Sequence, residues 1–400
     1  MVQFYIFNPA HKLRVLSTLL YQGSRRLLRS ATTPSTVSAR SGKVTISSLI
    51  NTDLPTLPSG ALIHDADFYK SDSDGGFCVF RVENTLFRVH RCFLLREPSA
   101  FGDMFSLPYF ANNFEGTSDE SPIPLSDTAE KFRDLLWALY ALPNELCLTP
   151  HPQIQPLSLD RLMNVAELTN KYCYSSYESW AVERIYVLAQ DPIGFLQNAS
   201  PEICARVLNI AVLCNNQNLL DLVSHKLILR MLWSNMCPNS VLVVAQRHGL
   251  RRLIGIAYYR QLISMEQVSY DGIISTQPFF ASSLDVEKRM RFLSAHHSLV
   301  SLWKQIRTTA PCFQSSGCHS HSICLSTWQN VWSDAGIANQ TLHFGSADVL
   351  GRLKFMMIYL RKAMAEVPSM SLQCTLSALE AITTTRDDII DGMLDHFTDF

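Results

Sequence analysis

The sequence predicts an α+β fold: a small sheet with helices in the first half, then a mainly helical region. Three observations carry this expectation. Two runs of β-forming residues, Phe77–Val82 and Thr85–His90, are separated only by Glu83-Asn84 and read as a hairpin. Phe132, Leu135, Leu136, Leu139 and Tyr140 recur at i, i+3, i+4, i+7 and i+8, which makes one broad apolar helical face. After a proline-rich connection (Pro143, Pro150, Pro152, Pro156), apolar residues continue at helical spacing to about residue 307.

The elements follow in order. Structure begins near His64, and the stretch Asp72–Gly76 is a loop feeding the hairpin. Ser99 is placed to N-cap a short apolar helix, Ala100–Phe105, because its hydroxyl can accept a free backbone N–H of the first turn. Residues 106–121 read as a long polar loop, and Pro122–Leu125 as a minimal strand. Proline lacks the N–H that a central strand needs, so that strand belongs at an edge. Asp127 is expected to cap the next helix, with Glu130 three residues on as its reciprocal partner. Leu159, Leu162, Met163, Val165 and Ala166 mark one later helix. Ser200-Pro201-Glu202 is a helix start: an N-cap, a proline at the first helical position and an acid in the first turn. Val207, Ile210, Ala211 and Cys214 are its buried stripe. Leu219–Trp233, Val241–Leu262 and Ser283–Arg307 read as further helices, while 268–283 and 308–326 read as irregular.

Composition bounds the function. Of 400 residues, 47% are hydrophobic and 17% charged, enough for a packed core. Lys+Arg is 34 against Asp+Glu 35, so there is no global basic field to grip nucleic acid. Apolar stretches such as Val207–Cys214 fall short of the roughly 18 residues that span a bilayer, so no membrane role is expected. Eleven cysteines without regular spacing read as reduced thiols, which points to the cytoplasm or nucleus. Residues 1–52 differ: they carry no acid, seven Lys or Arg and fourteen Ser or Thr. That is the composition of a mitochondrial transit segment or of a disordered basic leader. The expected organisation is a leader over 1–60, an α+β domain over 61–190, a helical domain over 191–307, and a Cys/His-containing loop with a helical segment over 308–400.

The first domain resembles a BTB/POZ domain of the fungal type. The resemblance rests on Phe77-Cys78-Val79-Phe80-Arg81-Val82-Glu83-Asn84-Thr85-Leu86-Phe87-Arg88-Val89-His90-Arg91, on Leu94-Leu95, on Ser99, Phe101 and Met104-Phe105, on Glu115-Gly116, and on Pro122-Ile123-Pro124-Leu125-Ser126-Asp127. It continues through Phe132, Leu135-Leu136, Leu139-Tyr140 and Val165–Tyr172. BTB domains are protein–protein interaction modules; many self-associate as homodimers, and some dock a cullin and serve as ubiquitin-ligase substrate adaptors. The resemblance therefore implies a non-catalytic adaptor with protein partners, self-association and no small-molecule substrate; it does not by itself imply cullin binding, and a cullin is one candidate partner. The alternative is a BTB-dimerised transcriptional or chromatin-associated regulator. Phe101, Met104, Phe105, Phe114 and Glu115 are the expected partner-binding residues, and the first three, with Phe87 and Val89, suit a core or an interface alike. Phe114-Glu115 is the nearest match to the apolar-x-Glu element of cullin-binding members and lacks its spacing. Phe87, Val89, His90, Arg91 and Asp127 are expected in structural roles. A strand-end histidine such as His90 is ordinarily a packed, hydrogen-bonded residue rather than a ligand or base.

Enzyme signatures are missing from the sequence. Gly116-Thr117-Ser118 lacks the second glycine of a nucleophile elbow, and Gly42-Lys43 lacks the upstream glycine of a phosphate loop. The acidic pairs Asp119-Glu120 and Asp387-Asp388 read as solvated. Arg247-His248 and Arg251-Arg252 beside Tyr258-Tyr259 mix base and aromatic as single-strand binders do, but the same spacing suits a solvated helix face. One cluster has metal-binding chemistry: Cys312, Cys318, His319, His321 and Cys324 fall within thirteen residues, with Cys374 as a distant further ligand. It has no Cys-x2-Cys knuckle, so the default expectation is a loop carrying thiols and no cofactor, with zinc as the metal to weigh.

Overall fold

The computed structural model describes residues 62–71, 76–107, 115–143, 145–146, 157–268, 274–276, 285–314, 318–337, 344–366 and 370–397. The leader over 1–60 and Phe114 lie outside the described residues. Two compact units divide the chain. The first runs to Gln190 and takes in Leu213–Asn216; the second holds Asp191–Val212 and everything from Gln217. The expected helical domain and the segment after 307 thus belong to one unit.

The first unit is mixed α and β. Strands β1 (Ile63–Tyr69), β2 (Phe77–Val82), β3 (Thr85–His90) and β4 (Ile123–Leu125) form a sheet in the order β1-β3-β2-β4. β2 and β3 pair antiparallel from Phe77↔His90 to Val82↔Thr85, across a turn in which Glu83 takes a left-handed φ of 55°. β4 pairs parallel with β2 at the sheet edge, as its proline requires. β1 was not foreseen. It pairs parallel with β3 and shifts register between His64 and Tyr69. The cause is Asp65, whose Oδ1 accepts from the Asp67 and Phe68 N–H groups, replacing ladder bonds with a local turn. Its Oδ2 accepts two bonds from Arg133, at 2.9 and 2.7 Å, so the buried charge is paired.

Helices α1 (Arg91–Leu94), α2 (Ala100–Phe105), α3 (Ala129–Tyr140), α4 (Leu159–Tyr172) and α5 (Ser175–Gln190) complete this unit. Ser99 caps α2 as expected, accepting from Gly102 N–H at 3.3 Å. The α3 stripe is buried as expected: Phe132, Leu135, Leu136 and Leu139 are fully enclosed. Its core partners are aromatic. Phe132 meets Phe80 and Phe87 edge-on at 5.6 and 5.0 Å, and Phe101 stacks on Tyr172 at 4.5 Å. The capping of α3 differs from expectation. Thr128, not Asp127, is the N-cap, accepting from Lys131 N–H, while Glu83 accepts from Ala129 N–H at 3.0 Å. Asp127 instead accepts from Lys171 Nζ at 2.6 Å and from the Tyr172 hydroxyl, tying the entry of α3 to the end of α4.

The second unit contains α6 (Phe195–Asn198), α7 (Pro201–Leu213), α8 (Gln217–Trp233), α9 (Asn239–His248) and α10 (Arg251–Met265). A small antiparallel pair, β5 (Glu266–Val268) and β6 (Ile274–Thr276), follows where turns were expected. Then come α11 (Val286–Thr308), α12 (His321–Ile337), α13 (Val349–Glu366), α14 (Leu372–Gly392) and a 3-10 helix (Met393–Phe397). Ser200 caps α7 through Ile203 N–H as expected. The single helix expected over Val241–Leu262 is two. Gly249 ends α9 in the left-handed region at φ 66°, and Leu250 N–H closes back on Ala245 O at 2.9 Å. No helix among the described residues is long and apolar enough to cross a membrane.

One glycine marks a close approach. A Cβ on Gly255 in α10 would lie 2.7 Å from the backbone nitrogen of Leu394 and 3.2 Å from its Cα. Gly255→Ala gains about 1 kcal/mol of helix propensity. It also forces backbone apart in a packed interior, an overpacking cost of about 1–3 kcal/mol. The expected net is a loss of stability, read as a lower urea midpoint. A variant at or above the parent midpoint would show that the 3-10 helix yields freely.

Candidate functional site

Three of the residues expected to bind partners, Phe101, Met104 and Phe105, lie on α2, and they do not share one fate. Phe101 is completely buried and Met104 is 4% exposed, so both are core residues and cannot contact a partner directly. That corrects the expectation, and the reason is packing: α2 lies over the sheet, and its first apolar residues face Phe80 and Tyr172. Phe105, one turn on, is only half-buried, with the Arg91 guanidinium 4.9 Å above its ring. Leu95 follows α1 and is 48% exposed; its Cδ2 lies beside Gly102. Glu115 is half-buried in the segment before β4.

The positions expected in structural roles are packed or hydrogen-bonded. Phe87 and Val89 are fully buried. His90 Nδ1 is 2.9 Å from the Tyr140 hydroxyl, which also accepts the His90 backbone N–H at 2.9 Å. One phenol thus fixes the strand end to the end of α3. Arg91 donates its backbone N–H to Gly76 O at 2.8 Å. Its side chain opposes the burial that pushes the Cys78 thiol up to about 12.

In the basic, aromatic stretch near 247–259 two arginines are paired with acids and the tyrosine rings are enclosed. Arg251 pairs with Asp395 and Arg252 with Asp391, each at 2.6 Å. Tyr258 is 9% and Tyr259 1% exposed, so neither ring offers a face for a base to stack on. Asp119, expected to be solvated, accepts from the Tyr69 hydroxyl at 2.7 Å and lies 2.9 Å from His64 Nε2. Asp387 remains half-exposed beside Arg386.

A polar knot unforeseen in the sequence joins β5, α11 and the start of α13. Glu266 Oε1 lies 2.8 Å from His296 Nε2 and 2.7 Å from Ser346 Oγ, and Ser346 Oγ is 3.0 Å from the same His296 nitrogen. A nucleophilic triad needs serine and carboxylate on opposite ring nitrogens. Here both meet Nε2, so the arrangement does not relay a proton from serine to carboxylate. Burial pushes the Glu266 carboxyl up, but bonds from His296, Ser346 and the Ala347 N–H outweigh it and hold the carboxyl below its ordinary value. The knot therefore acts as a buried ionised strut.

Among the described residues, the Cys/His stretch is irregular, as the sequence suggested, only as far as Ser320; the remainder is helix. His321 opens α12, and Cys324 follows at i+3 with Trp328 and Trp332 continuing the buried face. Cys318 Sγ lies 3.8 Å from Cys324 Sγ, and Cys374 Sγ lies 3.6 Å from His321 Nδ1. Cys312 and His319 are exposed and stand outside this group. Cys374, near the start of α14, is fully buried. Comparison of the chain with protein-family models, with curated proteins and with solved structures returns no match in any of the three.

Proposed function

We propose that the chain is a non-catalytic protein–protein interaction adaptor acting through its first unit, of the BTB/POZ kind that its sequence resembles. One observation supports this most. The residues that carry the resemblance, scattered from Phe77 to Tyr172, close into a single core of Phe80, Phe87, Phe101, Phe132, Leu139 and Tyr172. Beside that core, Leu95 and the half-buried Phe105 keep apolar surface at α1 and α2, with Arg91 at its edge. Apolar surface rimmed by charge is what a recognition patch requires.

The test uses the full chain. Light scattering at micromolar concentration is expected to give twice the 45.1 kDa chain mass. Titration with a purified cullin N-terminal domain then separates the ligase adaptor from other adaptors. Leu95→Asp is expected to weaken self-association or cullin binding while leaving the unfolding midpoint in place. A monomer that ignores cullin, with Leu95→Asp changing neither measurement, would sink the reading.

A further inference from the structure

We propose that Cys318, His321, Cys324 and Cys374 form a structural zinc site with three thiolates and one imidazole. The argument begins with spacing. Cys318-x2-His321-x2-Cys324 places Cys318 in the turn before α12 and the other two on one face of the helix's first turn, because residues three apart are neighbours there. Cys374 comes from 50 residues further on, near the start of α14, so the four donors converge from two helix N-termini.

Distances agree with a tetrahedron. Zinc–sulfur bonds of about 2.3 Å and zinc–nitrogen bonds of about 2.0–2.1 Å put tetrahedral S···S edges near about 3.8 Å and S···N edges near about 3.6 Å. The observed separations are 3.8 Å for Cys318 to Cys324 and 3.6 Å for Cys374 to His321. The donor atoms of Cys318, His321 and Cys374 all lie within 4.8 Å of one another, and Cys324 adjoins this group through Cys318. Cys324 and Cys374 also interact directly.

The surroundings are those of a ligand set. Ser371 Oγ donates to Cys318 Sγ at 3.7 Å, and the Ser371 N–H points to the Cys324 sulfur. The same hydroxyl accepts from Cys374 N–H at 3.2 Å, so one serine orients three of the four donors. Outer donors of this kind fix thiolate ligands and tune them. The His321 ring is held edge-on to Phe313 at 5.4 Å, leaving Nδ1 toward Cys374. Among the described residues no carboxylate joins the group, which disfavours calcium or magnesium; three sulfurs with an imidazole suit zinc. Four protein donors close the coordination sphere, so the site holds the starts of α12 and α14 together and has no open position for catalysis.

The experiment is metal analysis of the full chain purified without chelator, followed by cobalt replacement. About one zinc per chain is expected, as is the intense visible spectrum of tetrahedral cobalt with thiolate charge transfer. Cys374→Ser and His321→Ala should weaken cobalt binding by more than the roughly 10–100-fold that loss of an outer partner costs. Cys312→Ser and His319→Ala should leave stoichiometry and spectrum unchanged. Should a ligand variant fail to fold, alkylation mapping of the parent chain decides: Cys318, Cys324 and Cys374 are protected until a chelator is added, whereas Cys312 reacts at once. The proposal is overturned by a parent chain with zinc far below stoichiometric and no tetrahedral cobalt spectrum. It is equally overturned by binding that survives Cys374→Ser but is lost in Cys312→Ser.

Discussion

Phe101→Ala is expected to destabilise the first unit by about 3–5 kcal/mol, the range for emptying a buried aromatic site. Phe101 is 0% exposed, stacks on Tyr172 at 4.5 Å and meets Phe80 edge-on at 5.4 Å. Those neighbours sit on α4 and β2, two elements the cavity cannot pull together, so little of it collapses. Against a typical margin of roughly 5–15 kcal/mol, that loss is a large share. Any fall in partner binding by this variant is then a folding effect. Phe105→Ala provides the contrast. Its ring is half-buried under Arg91, so it should cost clearly less stability and act, if anywhere, on binding. Urea unfolding of both variants, beside the self-association assay, separates the two roles. Phe101→Ala with a parent-like midpoint and selective loss of binding would return Phe101 to the surface.

The contrast between Phe101 and Phe105 shows what a sequence can and cannot state. Both are phenylalanines on one short helix, and the packing of β2 and α4 against Phe101 decides which one is enclosed. Signals that are local were legible. Ser99 and Ser200 cap because their N–H partners lie three residues away, and the α3 stripe is buried because its period is its own. β1 was illegible for the opposite reason. Its ladder is broken by Asp65, whose compensating partner Arg133 lies 68 residues on. α12 was hidden by its cysteines and histidines. Yet Cys324, Trp328, Trp332 and Ala335 recur at helical spacing and are all buried. The Cys/His group was half legible: Cys318, His321 and Cys324 sit within one short stretch, whereas the place of Cys374 depends on how α14 packs.

Asp127→Ala is expected to cost about 3 kcal/mol, and Thr128→Ala about 1 kcal/mol, the usual worth of a helix cap. The order matters more than either value. A reading from local pattern makes Asp127 the cap of α3 and predicts the reverse order. In the structure the Asp127 side chain is 8% exposed and carries two bonds that leave its own helix, to Lys171 Nζ and to the Tyr172 hydroxyl. Burial, with the Asp127 charge behind it, pushes the Tyr172 phenol well above its ordinary value, so the phenol stays a proton donor. Alanine at 127 strips the acceptor from that buried hydroxyl, a penalty of about 1–3 kcal/mol. It also leaves Lys171 without its counter-charge. Breaking a buried ion pair costs about 3–5 kcal/mol, but the Lys171 side chain is 30% exposed and rehydrates in part, which brings the sum toward the lower figure. Asp127→Asn keeps an acceptor for the phenol and should recover part of the loss, whereas an asparagine in a purely capping role would be neutral. Urea unfolding of the three variants reads the order directly. Because Tyr172 also stacks on Phe101, the Asp127 carboxylate braces the ring against which α2 packs, and through it the surface that Leu95 and Phe105 present.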